Sequence, residues 1–314
     1  MKVLIIDDMH ESIITSLNSI NIEVDYKPNI TRDEIISSIH GYQGMIVRSK
    51  TPIDIELLGH SKDLKFIARA GAGVDNLDEE ELNNRKIHLL NAPEGNRDAL
   101  AEHAIGMILN LFNNINKADL EVRKGIWDRE GNRGIELMGK TVGLMGFGYM
   151  GEAFAKRLSS FGCRILAFDD QKSGFGNDYV EEVSLEEFKA ESQILSIHIP
   201  MNKHNKGIVN YEFLDQFKKL DYILNTARGE VLVLKDLVKL LKEKKIKGAA
   251  LDVLENEKIK KLKGDELSVF QELSKFNQVL LTPHIAGWSF ESYKKISEVL
   301  YQKIKSLVKE EDFV

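Results

Sequence analysis

The hydrophobic positions of this chain fall into short apolar runs separated by segments with helical spacing, and the two alternate almost from end to end. Runs of four or five apolar residues are typical of buried strands, and apolar residues three and four apart are typical of amphipathic helices. In the first third of the chain the predicted strands are 3–6, 22–26, 44–47, 66–70 and 87–90, and the predicted helices are 12–20, 31–40, 53–58 and 78–84. This alternation predicts a parallel sheet with helices on both faces.

The same alternation resumes after residue 140. The predicted strands there are 142–145, 164–168, 194–198, 222–225, 248–253 and 279–281. Between the two series, residues 98–124 keep apolar residues at spacings of three and four without a turn cluster, which predicts one long helix. The whole pattern therefore predicts an α/β fold with two doubly wound parallel sheets.

Turn residues cluster at 91–96 and at 284–287, and these segments are the predicted hinges between two domains. We expect a discontinuous first domain of residues 1–95 and 287–314, to which a last helix at 290–307 returns. Residues 96–286 would form a second domain inserted into the first. A cleft where the chain crosses twice would be a natural place for a small-molecule site.

Composition narrows the classes of protein. A length of 314 residues is enough for about two domains. The net charge of −6 argues against a nucleic-acid-binding surface. The single cysteine, Cys163, excludes an internal disulfide framework and a multi-cysteine metal site, and no metal site is predicted. The first apolar run reaches Asp7 and Asp8 too early for a signal peptide or membrane span, so we expect a cytoplasmic protein.

A glycine-rich turn follows the strand predicted at 142–145. The sequence Gly-Phe-Gly-Tyr-Met-Gly places Gly146, Gly148 and Gly151 before a helical pattern. In a dinucleotide-binding turn the first glycine permits the tight turn, the second lets the backbone approach the pyrophosphate, and the third lets helix and strand pack closely. The phosphates would lie at the helix N-terminus, where free N–H groups favour anions.

The next predicted strand ends in Asp169, eighteen residues after Gly151. An acid at this position is placed to accept hydrogen bonds from an adenosine ribose. Asp170 follows directly, and the first cation is Lys172, so a 2′-phosphate would face two carboxylates. The sequence therefore predicts NAD as the cofactor in preference to NADP.

Three later segments place polar residues at predicted strand ends: Asn-Thr-Ala-Arg-Gly-Glu at 225–230, Leu-Asp-Val-Leu-Glu-Asn-Glu at 251–257 and Thr-Pro-His-Ile-Ala-Gly at 282–287. They resemble the catalytic blocks of the D-isomer-specific 2-hydroxyacid dehydrogenases. Residues 192–200 are similar to the central signature of that family, and residues 69–76 to its substrate loop. The resemblance covers nearly the whole chain in order. It implies a Rossmann NAD-binding domain inserted into a flavodoxin-like substrate-binding domain.

The residues themselves suit this chemistry. Oxidation of a 2-hydroxy acid needs a base for the hydroxyl proton, a cation for the carboxylate or carbonyl, and a hydride acceptor. His284 is the candidate base, because imidazole titrates near neutral pH. Glu257 would bind its other ring nitrogen and favour the imidazolium, and Arg228 offers a planar fork for a carboxylate. Each alone could be a turn residue, but together at strand ends of one doubly wound sheet they indicate a catalytic site.

Further contacts are implied by the resemblance. The backbone around Ala72 and Gly73 is implied to hold the substrate carboxylate, and Arg48 and Ser49 could meet a phosphate or carboxylate. Asp252 is implied to bind the nicotinamide carboxamide, although it could instead be a buried strand-end aspartate that holds a loop. The residues expected to contact the cofactor are Gly146, Gly148, Tyr149, Met150, Gly151, Asp169, His198, Pro200, Thr226, Ala227, Arg228, Asp252, His284 and Gly287. Arg228 and His284 are also expected to contact the substrate.

Within the family, residues 91–96 and Val47-Arg48-Ser49 resemble the D-3-phosphoglycerate dehydrogenases, here in a short form. Two features depart from that pattern: Lys258 replaces a usual proline and opens a basic loop at 258–263, and Trp288 follows the catalytic block where small residues are usual. The resemblance to the D-3-phosphoglycerate dehydrogenases implies oxidation of 3-phosphoglycerate in serine synthesis. The alternatives are a 4-phosphoerythronate dehydrogenase, a glyoxylate or hydroxypyruvate reductase, and, from another class, an NAD-sensing corepressor-like protein. A homodimer is expected, without nucleic-acid or membrane partners.

Overall fold

The computed structural model describes residues 1–310, in which strands and helices alternate. The strands are β1 Lys2–Ile5, β2 Glu23–Tyr26, β3 Gly44–Val47, β4 Phe66–Arg69, β5 His88–Asn91, β6 Thr141–Met145, β7 Arg164–Phe168, β8 Glu181–Glu182, β9 Ile194–Ile197, β10 Tyr222–Asn225, β11 Gly248–Leu251 and β12 Val279–Leu281. The helices are α1 Ser12–Asn18, α2 Arg32–Ser38, α3 Ile55–Gly59, α4 Glu79–Asn84, α5 Pro93–Phe112, α6 Ile115–Arg123, α7 Tyr149–Leu158, α8 Leu185–Glu191, α9 Tyr211–Leu214, α10 Leu234–Lys242, α11 Gly264–Leu273 and α12 Phe290–Glu310.

The chain divides into two compact units. The first consists of residues 1–96 together with the described residues from 288 onward, and the second consists of residues 97–287. Local signals begin several helices of the first unit. Thr31 and Glu34 form a capping box before α2, and Asp54 accepts a hydrogen bond from a first-turn N–H of α3.

The first unit contains a parallel sheet with the strand order β2-β1-β3-β4-β5, which is the flavodoxin-like order. Alternate residues of β1 belong to different hydrophobic clusters, with Val3 in one and Leu4 in the other, so both faces of the sheet are buried. The cluster around Val3 includes Leu300 of α12, which packs against α1. Lys303 of α12 also donates a hydrogen bond to the Asn91 carbonyl at the end of β5.

The second unit contains a parallel sheet with the order β12-β11-β10-β9-β6-β7-β8, which is the doubly wound order of dinucleotide-binding domains. Val142 and Leu144 of β6 pack with helices α5 and α7, and Met145 packs in a second cluster with α8 and α10. The predicted fold class, two doubly wound parallel sheets, is therefore confirmed. The strand β8 was not predicted, because its two exposed glutamates have no apolar pattern.

The prediction of one long helix over 98–124 is wrong. The chain forms α5 and α6 instead, and Asn114 between them has φ 53°, in the left-handed region. Asparagine tolerates this conformation better than most residues, and Asn113-Asn114 is the local signal for the break. The side chain of Asn110 then accepts a hydrogen bond from the Asn116 N–H in the first turn of α6.

Among residues 1–310, no helix combines the length and apolar character that a membrane span requires.

Candidate functional site

The glycine turn lies between β6 and α7. Gly146 has φ 96°, and a Cβ there would come within 2.9 Å of the His198 carbonyl. A Cβ at Gly151 would come within 2.5 Å of the Gly146 oxygen, whereas nothing lies within 4 Å of a Cβ at Gly148. The first and third glycines are therefore required by close packing, and the second borders open space.

This open space lies at the start of a helix. Gly148 is the N-cap residue of α7 and supplies no side chain to cap the first N–H groups. Tyr149, the first helical residue, is exposed, and Met150 follows it. The turn therefore fits the pyrophosphate of a dinucleotide, because backbone N–H groups are available beside a position with no Cβ.

Asp169 joins the end of β7 to the glycine turn. Its Oδ2 accepts a hydrogen bond from the Phe147 N–H at 2.8 Å, and its Oδ1 accepts one from the Gln171 N–H at 2.9 Å. The Lys172 ammonium extends back to the Phe147 carbonyl at 3.4 Å. The carboxylate is thus fixed beside the turn, and the ammonium of Lys172, the first cation after the two aspartates, lies close to the same turn.

His198 follows β9 and packs beneath the glycine turn. Its ring lies 5.4 Å from that of Phe154, and its Nε2 is 2.8 Å from Ser196 Oγ. Burial lowers the pKa of His198 to about 4, so its ring is neutral at physiological pH. These contacts give His198 a supporting position at the turn. Pro200, two residues further on, is exposed.

The segment after β10 presents Thr226, Ala227 and Arg228. The side chain of buried Asn225 builds this turn, because its Oδ1 accepts from the Ala227 N–H and its Nδ2 donates to the Arg228 carbonyl, both at 3.0 Å. The role of Asn225 was missed, although an asparagine at a strand end is a turn signal. Thr226 Oγ1 is buried without a hydrogen-bond partner within residues 1–310, so a bound group that donates or accepts a hydrogen bond would satisfy it.

Asp252, after β11, holds the loop that carries His284. Its Oδ1 accepts hydrogen bonds from Thr282 Oγ1 at 2.5 Å and the Ile285 N–H at 2.9 Å, and its Oδ2 accepts one from the Ala286 N–H at 2.8 Å. The Asp252 side chain has 0% exposure. The structure therefore shows that Asp252 holds the loop that carries His284, and its implied contact with a nicotinamide carboxamide stays a prediction.

His103 belongs to the same network, which the sequence did not indicate. It lies on α5, and its Nε2 is 3.3 Å from Thr282 Oγ1 and 3.7 Å from Asp252 Oδ1. The His284 N–H also donates to the Asp252 carbonyl at 2.7 Å, and His284 has φ 56°. The loop therefore holds a non-glycine residue in a left-handed conformation, which must be stabilised by the contacts around it.

The structure brings His284 and Glu257 together. Their Nδ1 and Oε1 atoms are 2.8 Å apart, and each side chain is about half exposed. The hydrogen bond to Glu257 raises the pKa of His284, whereas burial and the positive charge of Arg228 act to lower it. Because an ionised carboxylate only accepts, Nδ1 carries a proton and Nε2 is the nitrogen left to exchange one with a ligand.

The loop beyond Glu257 is basic and solvated. Lys258, Lys260 and Lys261 are exposed, and only Leu262 of the segment 258–263 is buried. At the other end of the site loop, Gly287 is the last residue of the second unit.

The remaining predicted residues lie at strand ends of the first unit. Arg48 follows β3, and its backbone N–H donates to Asp7 Oδ2 at 2.6 Å, while the next residue, Ser49, is exposed. Ala72 and Gly73 follow β4, and the Ala72 carbonyl accepts a hydrogen bond from Asn91 Nδ2 at 2.8 Å.

Comparison with known proteins identifies the second unit. Residues 105–286 match the family model described as "D-isomer specific 2-hydroxyacid dehydrogenase, NAD binding domain". This match accords with the fit of the glycine turn to a dinucleotide and with NAD as the predicted cofactor.

Relatives extend the similarity to the whole chain. It is 33% identical over 311 residues to a D-3-phosphoglycerate dehydrogenase of Archaeoglobus fulgidus, covering 98% of this chain and 58% of that protein. It is 36% identical over 294 residues to a glyoxylate reductase of Thermofilum pendens, covering 91% of this chain and 84% of that protein. The chain thus spans little more than half the length of the first relative.

A solved structure shows the same fold. The D-lactate dehydrogenase of Aquifex aeolicus, complexed with NAD and lactic acid, superimposes with a TM-score of 0.82 at 25% identity, covering 98% of this chain and 96% of that one. The motifs, the family model and these relatives agree, and the chain belongs to the D-isomer specific 2-hydroxyacid dehydrogenase family.

Proposed function

We propose that the chain is an NAD-dependent oxidoreductase that transfers a hydride between nicotinamide and C2 of a D-2-hydroxy acid. The observation that carries the proposal is the hydrogen bond between His284 and Glu257, at 2.8 Å, in the NAD-binding domain. The positive charge of Arg228 also reaches the His284 ring and acts to lower its pKa. A histidine whose charged form is stabilised by a carboxylate is suited to moving a proton at neutral pH.

The residues have separate tasks in this reaction. Bound NAD would accept or supply the hydride. In the reductive direction the His284 imidazolium donates a proton from Nε2 to the carbonyl oxygen, and in the oxidative direction the neutral ring removes the hydroxyl proton. Glu257 fixes the ring and stabilises its charged form. Arg228 binds the carboxylate or the developing negative charge on oxygen.

We infer that the preferred substrate pair is 3-phosphoglycerate and 3-phosphohydroxypyruvate, as in serine synthesis. Supporting this, the first unit presents Arg48 and exposed Ser49 at the end of β3, suited to a phosphate, and the turn at Ala72 and Gly73 offers backbone N–H groups to a carboxylate. The unit formed by the two chain ends would thus bind substrate, and the other unit would bind NAD.

A second candidate, glyoxylate or hydroxypyruvate reduction, is favoured by a specific observation. The glyoxylate reductase of Thermofilum pendens is 36% identical, and the match covers 84% of its length, against 58% of the phosphoglycerate dehydrogenase. We also propose a cytoplasmic location. Cys163 is a free thiol, and thiols are kept reduced in the cytosol.

We also propose that the chain forms a homodimer through the region of α6. Trp127, just after this helix, is 80% exposed. The exposed apolar residues near it are Ile115, Leu120, Val122 and Ile126. Exposed apolar side chains this close together are typical of an interaction surface, and two-fold dimers are the commonest assembly.

The proposed reaction predicts that the purified chain oxidises NADH with 3-phosphohydroxypyruvate more efficiently than with hydroxypyruvate or glyoxylate. His284→Asn should lower kcat by about 10²- to 10⁴-fold, because it removes the proton donor, while NADH still binds. His204→Asn, at an exposed histidine of the same unit, is the control, and its kcat should equal that of the wild type. NADH binding without turnover on any 2-keto acid would favour a sensor, and preference for glyoxylate would favour the second candidate.

The raised pKa of His284 predicts a pH dependence. Reduction requires the imidazolium, so kcat/KM for reduction should fall as pH rises through this pKa. Glu257→Gln removes the main cause of the shift, so the fall should move to lower pH. Glu255→Gln is a control, because the Glu255 carboxylate accepts from the Leu234 N–H instead. An unchanged pH profile in Glu257→Gln would contradict the assignment.

The position of Asp169 predicts the choice between dinucleotides. Asp169→Ala should raise KM for NADH by about tenfold through the loss of hydrogen bonds to a charged group, and should reduce the discrimination against NADPH. Asp170→Ala tests whether the second, exposed carboxylate contributes to the discrimination against NADPH through its charge alone. Equal wild-type kcat/KM for NADH and NADPH would refute this specificity.

The proposed dimer predicts a mass of twice the chain in light scattering after gel filtration. Val122→Glu should weaken it, because a charge would be buried at the apolar contact. Ile55→Glu is the matched control, since Ile55 is an exposed apolar residue of the first unit. A wild-type monomer at micromolar concentration would contradict the proposal.

A further inference from the structure

Arg48 lies in an aromatic cluster at one end of the first unit's sheet. Its guanidinium carbon is 4.3 Å from the centre of the Trp288 ring and 5.8 Å from that of Tyr293. The two aromatic rings meet edge to face, 5.5 Å apart. Arg48 follows β3, whereas Trp288 lies two residues before α12 and Tyr293 lies in its first turn. The surface against which Arg48 packs is therefore formed by the start of the last helix and the residues just before it.

The cluster is fixed from the other side by Asp8, which comes shortly after β1. Tyr26 donates a hydrogen bond to Asp8 Oδ1 at 2.8 Å, and Tyr293 donates one to Asp8 Oδ2 at 2.9 Å. These two hydrogen bonds lower the pKa of Asp8, so it is ionised at neutral pH. Tyr293 is therefore held in place by a charge-assisted hydrogen bond, and Trp288 packs against a fixed ring.

The positive charge of Arg48 acts on the nearby Asp8 carboxylate, whose pKa it helps to lower. Its Nη1 lies 3.4 Å from the Asp8 carbonyl, and within residues 1–310 no carboxylate comes within 4 Å of its guanidinium nitrogens. The N–H donors of a guanidinium lie in its own plane, and a guanidinium over an aromatic face can still present them to a ligand. These in-plane donors match a phosphate or carboxylate.

We propose that Trp288, braced by Tyr293, positions Arg48 to bind the phosphate of a phosphorylated substrate and so determines the preference for phosphorylated 2-hydroxy acids. This inference rests on the proposed function and deepens it. Trp288 is a positioning residue, because it acts through Arg48. It also gives a role to the large aromatic residue that departs from the pattern of small residues after the catalytic block.

Substitutions of Trp288 test the proposal when KM is measured for a phosphorylated and for an unphosphorylated substrate. Trp288→Ala should raise KM for 3-phosphohydroxypyruvate about two- to tenfold, the range expected for loss of a partly exposed cation–π contact. KM for unphosphorylated hydroxypyruvate and kcat for both should stay within about twofold, because the contact reaches only the phosphate. The KM of Trp288→Phe for 3-phosphohydroxypyruvate should lie between those of the wild type and Trp288→Ala, because the smaller phenylalanine ring still offers an aromatic face to Arg48.

Two controls isolate the contact. Phe290→Ala removes an aromatic side chain that is 96% exposed, two residues from Trp288, and should change neither constant. In an Arg48→Ala background, Trp288→Ala should have no further effect on KM, because the residue acts through Arg48. Equal losses on both substrates, or additive losses in the double variant, would overturn the proposal. Thermal unfolding of each variant separates these effects from destabilisation.

Fluorescence gives a readout that does not depend on turnover. The chain contains two tryptophans, so the difference between wild type and Trp288→Phe reports Trp288 alone. Titration with 3-phosphoglycerate or inorganic phosphate should change this difference signal, glycolate should not, and Arg48→Ala should abolish the change. If the enzyme reduces 3-phosphohydroxypyruvate but the Trp288 fluorescence does not respond to phosphate, the inference about Trp288 is wrong and the proposed function stands. If the chain reduces no 2-keto acid, the proposed function itself is wrong.

Discussion

Parallel pairing in register is the constraint on which the candidate site depends. In the second unit Met145 pairs with both Phe168 and Ile197, and Asn225 pairs with both Ile197 and Leu251. Neighbouring strands therefore end at the same level, and the residues that follow them emerge along one edge of the sheet. Those residues are Gly146, Asp169, His198, Thr226 and Asp252. A one-residue shift in the register of one strand would turn its final side chains to the other face of the sheet. That strand's residue would then no longer lie beside the others at this edge.

Asp252 converts this edge into a rigid site. A buried carboxylate is costly unless it is hydrogen-bonded, and here it is satisfied by Thr282 and by two backbone N–H groups of the His284 loop. The same contacts fix a backbone conformation that histidine rarely adopts, with φ 56°. The position of His284 relative to Glu257 therefore depends on the buried Asp252 carboxylate.

The first unit uses its strand ends in a related way, with different chemistry. Asp8 anchors two tyrosines through its carboxylate, and the Trp288 ring, just before the last helix, packs against Arg48. In the second unit a buried acid holds backbone, and in the first an ionised acid holds aromatic side chains. In both units, an acidic residue at a strand end therefore fixes the surroundings of a candidate functional side chain.

The sequence by itself determined the fold class, the glycine turn and the pairing of His284 with Glu257, because these follow from local periodicity and from motifs whose spacing is fixed by strands and turns. It failed at the helix break, where the conformation of one residue, Asn114, outweighed a continuous apolar pattern. Only the tertiary structure revealed the contacts of Asp252, His103 and Trp288. Their partners lie far away in the chain and are brought together by packing, which local sequence patterns do not encode.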